Sequence, residues 1–280
     1  MPHKLLILGG PNVGKTHYIG QLHLRLTHRA SAGANAFRMH VPTQDMTVIN
    51  DVVNQLEAGR AAGHTASGFN KQISFTVADA QGLQVELTFP DYAGEQVRDI
   101  VSKRLIDSRW QELITQADEW LLFIRSDKVN PLEDITNRSL AHLTEQQPRA
   151  QEGVAEGEMT EPAFYIELLQ MLLHCKGQSA LAPARRPRLT VALTCWDTLP
   201  AVTIGTTPAA ELRRCLPFLA DFLTAAWEPT AWRVFGLSST GTTLDPHNPN
   251  DDFVDAPHKQ GYVVLPDGQR TSDLTLLIAP

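Results

Sequence analysis

Cysteine is scarce in this chain: Cys175, Cys195 and Cys215 are an odd number at unrelated spacings. That argues against a disulfide framework or a zinc site, and makes a reducing compartment, the cytoplasm, the expected location. Long apolar runs are missing too; none approaches the roughly 20 residues that cross a bilayer, so no membrane span is expected. The opening Met1-Pro2-His3-Lys4 leads straight into an apolar strand, which leaves no room for a signal peptide. A basic stripe is also lacking, since the formal net charge is −7 and Lys and Arg are scattered. Nucleic acid and anionic membrane are therefore not expected as partners. The ten histidines show no metal-ligand spacing, and His23 and His28 read as surface or packing residues of a helix. What remains is ordinary globular material, 42% apolar and 20% charged over 280 residues, enough for a full core.

The most informative stretch is Gly9-Gly10-Pro11-Asn12-Val13-Gly14-Lys15-Thr16, directly after the apolar run Lys4-Leu5-Leu6-Ile7-Leu8. Its spacing is that of a P-loop, in which glycines let the backbone turn tightly so that successive N–H groups face phosphate oxygens. Lys15 can reach the β and γ phosphates and the Thr16 hydroxyl can bind Mg²⁺. A helix beginning near Lys15, with Ile19, Leu22 and Leu26 at helical spacing, adds a partly positive N-terminus to the same anion site. The residues assigned to nucleotide contact here are Gly9, Pro11, Asn12, Val13, Gly14, Lys15 and Thr16, with His17 beside them.

Further along, a helix from Asp45 is predicted by Met46, Ile49, Val53 and Leu56, ending at Ala58-Gly59. Period-two alternation at Ile73, Phe75, Val77 and at Val85, Leu87, Phe89 predicts a hairpin turning at Gln81-Gly82. Its second strand delivers Asp91-Tyr92-Ala93-Gly94-Glu95-Gln96 at its C-terminal end, where α/β sheets place ligand groups. A helix through Val97, Ile100 and Val101 follows, then a buried strand at Trp120-Leu121-Leu122-Phe123-Ile124. Residues 126–187 read as an insertion, with a mobile loop near 145–161 and then a helix carrying Phe164, Leu168, Met171 and Leu172. Leu189–Leu193 and Trp232–Leu237 are further strands, ending in Thr194-Cys195-Trp196-Asp197 and Ser238-Ser239-Thr240-Gly241. Between them a helix from Pro208 to Trp227 should be kinked or split by Pro217. Residues 242–280 form a C-terminal extension, with Leu244–Pro257 as a surface excursion and a short extended piece at Tyr262–Leu265. The apolar ending Leu276-Leu277-Ile278 is abrupt enough for a final helix or a further module to be missing.

Alternating strands and helices imply a single three-layer α/β domain over 1–280, its sheet mostly parallel with one antiparallel hairpin strand. The order of the four loops resembles the translation-factor-related class of P-loop GTPases, whose small members are Ras-like. Within that class, Pro90-Asp91-Tyr92-Ala93-Gly94-Glu95, the insertion and Gly261-Tyr262-Val263-Val264-Leu265-Pro266-Asp267-Gly268 resemble bacterial GTPases of the double-GTPase type, encoded in multi-gene conflict or signalling systems.

The resemblance implies GTP or GDP with Mg²⁺ as ligands and a protein partner that recognises the switch loops. It assigns Asp91 to Mg²⁺ through a water, the Gly94 N–H to the γ phosphate, and Thr65 to Mg²⁺, with Ser67 and Thr43 as rivals. In the catalytic place Glu95 stands where Ras-like proteins have glutamine, with Gln96 one residue on. In the base-reading motif Thr194 and Asp197 match while Cys195 replaces lysine, so Trp196 is expected to cover the base by stacking. Ser238 and Ser239 correspond to the last base-contacting loop. Two other readings stay open beside a hydrolysing switch: a nucleotide-binding scaffold without turnover, and an ATPase on the same P-loop.

Overall fold

A computed structural model describes residues 1–28, 35–42, 47–63, 71–91, 95–129, 159–178, 181–200 and 205–280, but not the side chains of Val48, Lys71, Asp91 and Glu95. At the centre lie β1 (His3–Leu8) and β5 (Glu119–Arg125), whose unbroken apolar runs pair in parallel, Leu8 beside Leu122. Such runs tolerate burial on both faces, and Leu5 to Leu8 and Trp120 to Ile124 are each at most 1% exposed. On one side β4 (Gln84–Asp91) is parallel to β1; on the other β6 (Arg188–Thr194) and β7 (Trp232–Ser238) continue the parallel order.

The edges are antiparallel, and there is more of them than one hairpin strand. β3 (Lys71–Asp79) pairs with β4 as expected. Beyond it β2 (Phe37–Val41) is an additional edge strand, while β8 (Tyr262–Val264) and β9 (Arg270–Thr271) extend the other side. The nine-stranded sheet runs β2-β3-β4-β1-β5-β6-β7-β8-β9.

Two helical layers cover this sheet. On one face α1 (Lys15–Thr27) sets Tyr18, Ile19 and Leu22 against Leu5, Ile7 and Phe123, with Ile49 of α2 (Thr47–Glu57) beside them. The terminal turn Leu274–Ile278 adds Leu274, Leu277 and Ile278 to this same core. The other face carries α3 (Glu95–Lys103), α4 (Ser108–Gln116), α5 (Glu161–Cys175), α6 (Pro208–Cys215) and α7 (Pro217–Ala226). Each contributes apolar side chains to one cluster, among them Ile100, Ile114, Leu169, Leu212 and Leu223. Fully burying one such side chain stabilises the fold by roughly 1.5–3 kcal/mol.

Pro217 splits the expected Pro208–Trp227 helix in two, because it has no N–H to give and its ring excludes a continuous turn. The expected loop at 145–161 lies outside the described residues apart from 159–161, where Glu161 opens α5. Leu244–Pro257 is anchored more firmly than a surface excursion needs: α8 (Asp251–Val254) buries Phe253 against Leu24, Val52 and Leu56. Tyr18, Gln21 and Arg25 of α1 hydrogen-bond backbone carbonyls of residues 257–274, so the extension is fastened to the helix that follows the P-loop. Among the described residues no helix is long and apolar enough to cross a membrane.

Candidate functional site

The chain leaves β1 into a loop that requires glycine at its first residue. Gly9 has φ +143°, and a Cβ there would sit 2.9 Å from the Phe123 carbonyl oxygen, so neither the conformation nor the space admits a side chain. Gly14 then caps α1 in the left-handed region, φ 83°. The first turn of α1 carries no side-chain cap and no acidic residue, which leaves its partial positive charge uncompensated by the protein itself. Lys15 is almost buried, and its ammonium donates to the carbonyls of Gly9 and Gly10 at 2.8 and 2.5 Å. A cation thus sits inside the curl of the loop, beside a helix N-terminus. The combination is an anion site.

This loop forms one end of a cavity of about 700 Å³, lined there by Pro11, Asn12, Val13, Gly14, Lys15, Thr16 and His17. Thr194, Cys195, Asp197, Thr198, Ser239 and Thr240 line the same cavity, with the Thr194 Cβ 3.8 Å from where a Cβ on Gly14 would stand. Parallel pairing explains the meeting: β1, β5, β6 and β7 are neighbours in register, so their C-terminal ends open on one edge of the sheet.

Among these Cys195 is left-handed, φ 57°, and starts a tight turn, Trp196–Thr198, which presents Asp197. The Ser238 hydroxyl donates to Asp197 Oδ1 at 2.6 Å while accepting from the Gly241 N–H at 2.9 Å. Ser238 is fully buried and does not line the cavity; it holds the carboxylate that does. Burial pushes the Cys195 thiol up, which keeps it neutral.

Trp196 does not cover the base. It is fully buried in the core, and a Cβ on Gly236 would lie 2.5 Å from its ring, so the glycine leaves the space that the indole fills. Tight packing wins over exposure here because that ring is the largest apolar group in the turn.

The remaining expected residues are not all described. Asp91 ends β4 and Glu95 opens α3, but their side chains lie outside what is described, as do Thr65, its rivals Thr43 and Ser67, and Gly94. Gln96 is in the first turn of α3, partly exposed. No group of three or more His, Cys, Asp or Glu able to hold a metal occurs among the described residues.

Several lining residues escaped the sequence reading. Arg125 and Lys128 come from the end of β5, Ala61 to Gly63 from the segment after α2, and Thr242 to Leu244 from the extension. The strand-end rule that picked out four loops covers the β5 end equally well; Arg125-Ser126-Asp127-Lys128 was passed over because it matches no motif. His17 accepts a hydrogen bond from the Ala62 N–H at 3.1 Å, tying the P-loop helix to the segment before Thr65. Burial, helped by the Arg125 charge, holds its pKa below the usual imidazole value.

A comparison with curated proteins yields no match. Among solved structures, the chain is similar to the signal recognition particle receptor SRb in a GTP-bound SRX complex from Chaetomium thermophilum. Identity is 11% and the TM-score 0.38, over 88% of this chain and 94% of that one. The S. cerevisiae Ski7 GTPase-like domain bound to GTP gives 10% and 0.40, over 85% and 43%. A bacterial selenocysteine-specific elongation factor gives 10% and 0.38, over 85% of this chain but 26% of that protein's length. Overlaps this loose carry no functional argument. The profile of the Double-GTPase 1 family, by contrast, matches residues 6–280, and the chain belongs to that family.

Proposed function

We propose that this chain binds GTP and GDP with Mg²⁺ and acts as a slowly hydrolysing switch, in a bacterial cytoplasm, on a protein partner encoded in the same multi-gene system. The observation that carries the reading is one cavity lined both by the P-loop and by a fixed carboxylate, Asp197. Family membership supports the guanine nucleotide. Lys15 would exchange the Gly9 and Gly10 carbonyls for β- and γ-phosphate oxygens with little movement, since it already lies within the loop. Asp197 would accept from the two donors on the guanine edge. An adenine there would leave buried groups unpaired, which is the kind of mismatch that discriminates strongly.

The residues fit a magnesium ion in donor chemistry: Thr16 supplies a hard hydroxyl oxygen from the first turn of α1 at the cavity wall. Asp91 and Thr65 complete the set by resemblance. When bound, the ion neutralises charge on the phosphates. Hydrolysis is expected to be slow because, by resemblance, Glu95 stands in the sequence where a neutral glutamine would orient water, and a carboxylate near phosphates is disfavoured, with Gln96 one residue on. An arginine from a partner would then matter greatly, by about 10³–10⁵ in rate.

The same two departures, Glu95 and Cys195, favour the second reading, a nucleotide-binding scaffold without turnover. Two measurements separate these. The nucleotide that copurifies should be GDP or GTP, and tighter binding of ATP would overturn the role of Asp197. In single-turnover assays bound GTP should release phosphate; none released, even with the neighbouring gene products added, would leave the scaffold.

A further inference from the structure

Cys195 has no stem long enough to cover a base, and Trp196 is buried in the core, so the base end of the cavity lacks both expected lids. The sheet order supplies another. β5 lies between β1 and β6, and Arg125, its last residue, pairs in register with Thr194. Arg125 therefore ends the strand that lies between the two leading into the P-loop and the base-reading turn, and it lines the cavity together with Asn12, Cys195 and Asp197.

Its guanidinium is held by its edges. Nε donates to Asp127 Oδ1 at 2.8 Å and Nη2 to Asp127 Oδ2 at 3.0 Å, a two-pronged pairing two residues apart. Nη1 reaches the Asn12 carbonyl of the P-loop at 3.4 Å. Edge bonds of this sort fix the plane and leave its faces for stacking, the geometry in which arginine covers nucleobases. Lys128, the other cation on this wall, is an exposed point charge and offers no planar face. The Asp127 pairing also raises the guanidinium pKa, with the Asp197 charge adding in the same direction.

We propose that Arg125 is the residue that covers the purine plane in this chain, with Asp127 and the Asn12 carbonyl as its positioning groups, replacing the lysine that Cys195 displaced. This rests on the guanine-nucleotide reading given above.

The test is calorimetric titration of the purified full chain, wild type, Arg125→Ala and Arg125→Lys, with two probes: GDP, and inorganic tripolyphosphate, which occupies the phosphate end without a base. The expected result is about a tenfold loss of GDP affinity in Arg125→Ala, the scale of base stacking, with tripolyphosphate affinity changed by less than about twofold. Arg125→Lys should recover part of the GDP loss through its alkyl stem. Thermal melts without nucleotide show whether each variant is folded, and the lysine variant keeps charge and length if the alanine variant is not. Equal losses for both probes would make Arg125 a phosphate contact and overturn the proposal, as would unchanged GDP affinity in both variants. If wild type binds tripolyphosphate but not GDP, the guanine reading itself falls and this inference with it; if wild type binds GDP and the variants match it, only the inference falls.

Discussion

The two ends of the cavity are built from different materials. At the phosphate end the backbone does the work: Gly9 and Gly14 take conformations that favour glycine, α1 starts without a side-chain cap, and Lys15 points into the curl. At the base end side chains do it, with Asp197 fixed by Ser238, Ser238 fixed by the Gly241 N–H, and Arg125 fixed by Asp127. Backbone geometry demands particular residues at particular spacings, so the first end tolerates little change of sequence. A side-chain end can be rebuilt from neighbouring strands. The replacement of lysine by Cys195 is a difference of this second kind.

That contrast is broken most directly at Lys15. Lys15→Ala removes charge-assisted hydrogen bonds to phosphate, each worth about 1.5–3 kcal/mol, so GDP and tripolyphosphate affinity should both fall on the order of 10² or more. Retained binding of either would mean that the loop is not the anion site. Asp197→Ala is next in size: two guanine donors lose their acceptor, and GDP should weaken by about 10² while tripolyphosphate is bound as before. A parallel loss of tripolyphosphate would show that the two ends are not separable. Ser238→Ala releases the carboxylate and takes the acceptor of the Gly241 N–H but removes no group that meets the base, so a three- to tenfold loss of GDP affinity, roughly 0.7–1.4 kcal/mol, is expected. A loss as large as that of Asp197→Ala would mean that the hydroxyl meets the base itself.

How much of this was legible follows from the same distinction. The glycine spacing, the strand before it and the helix after it announced the P-loop, and Pro217 announced a break that the structure shows as two helices. β2 was missed although Phe37, Met39 and Val41 alternate with Arg38 and His40, because five residues between two loops carry too little pattern to stand out. Trp196 was misplaced for a physical reason: the sequence shows an aromatic beside a base-reading aspartate but not the space that Gly236 leaves for it on the next strand. Arg125 was illegible as a site residue because its position depends on β5 lying between β1 and β6, a matter of topology.

One side chain at the phosphate end does more than line it, and it yields the smallest effect. His17 Nε2 accepts the Ala62 N–H, so the ring's proton is on Nδ1 and a second proton would break the tie to the segment before Thr65. Burial, with Arg125 second, lowers its pKa from 6.5 in the folded chain. The unfolded chain then binds more protons below about 6.5, so the stability this residue contributes is complete above that pH and is lost as pH falls through it toward the folded value. His23 and His258 are lowered too, mainly by burial, and add slope of the same sign. The informative measurement is therefore a difference. Between about pH 7 and about pH 5.5, the melting temperature of His17→Gln, whose amide does not titrate, should fall less than that of wild type, by the equivalent of about 1 kcal/mol or less. Parallel curves would mean that His17 accepts a proton as readily folded as unfolded, and that its bond to the Ala62 N–H does not hold back its protonation.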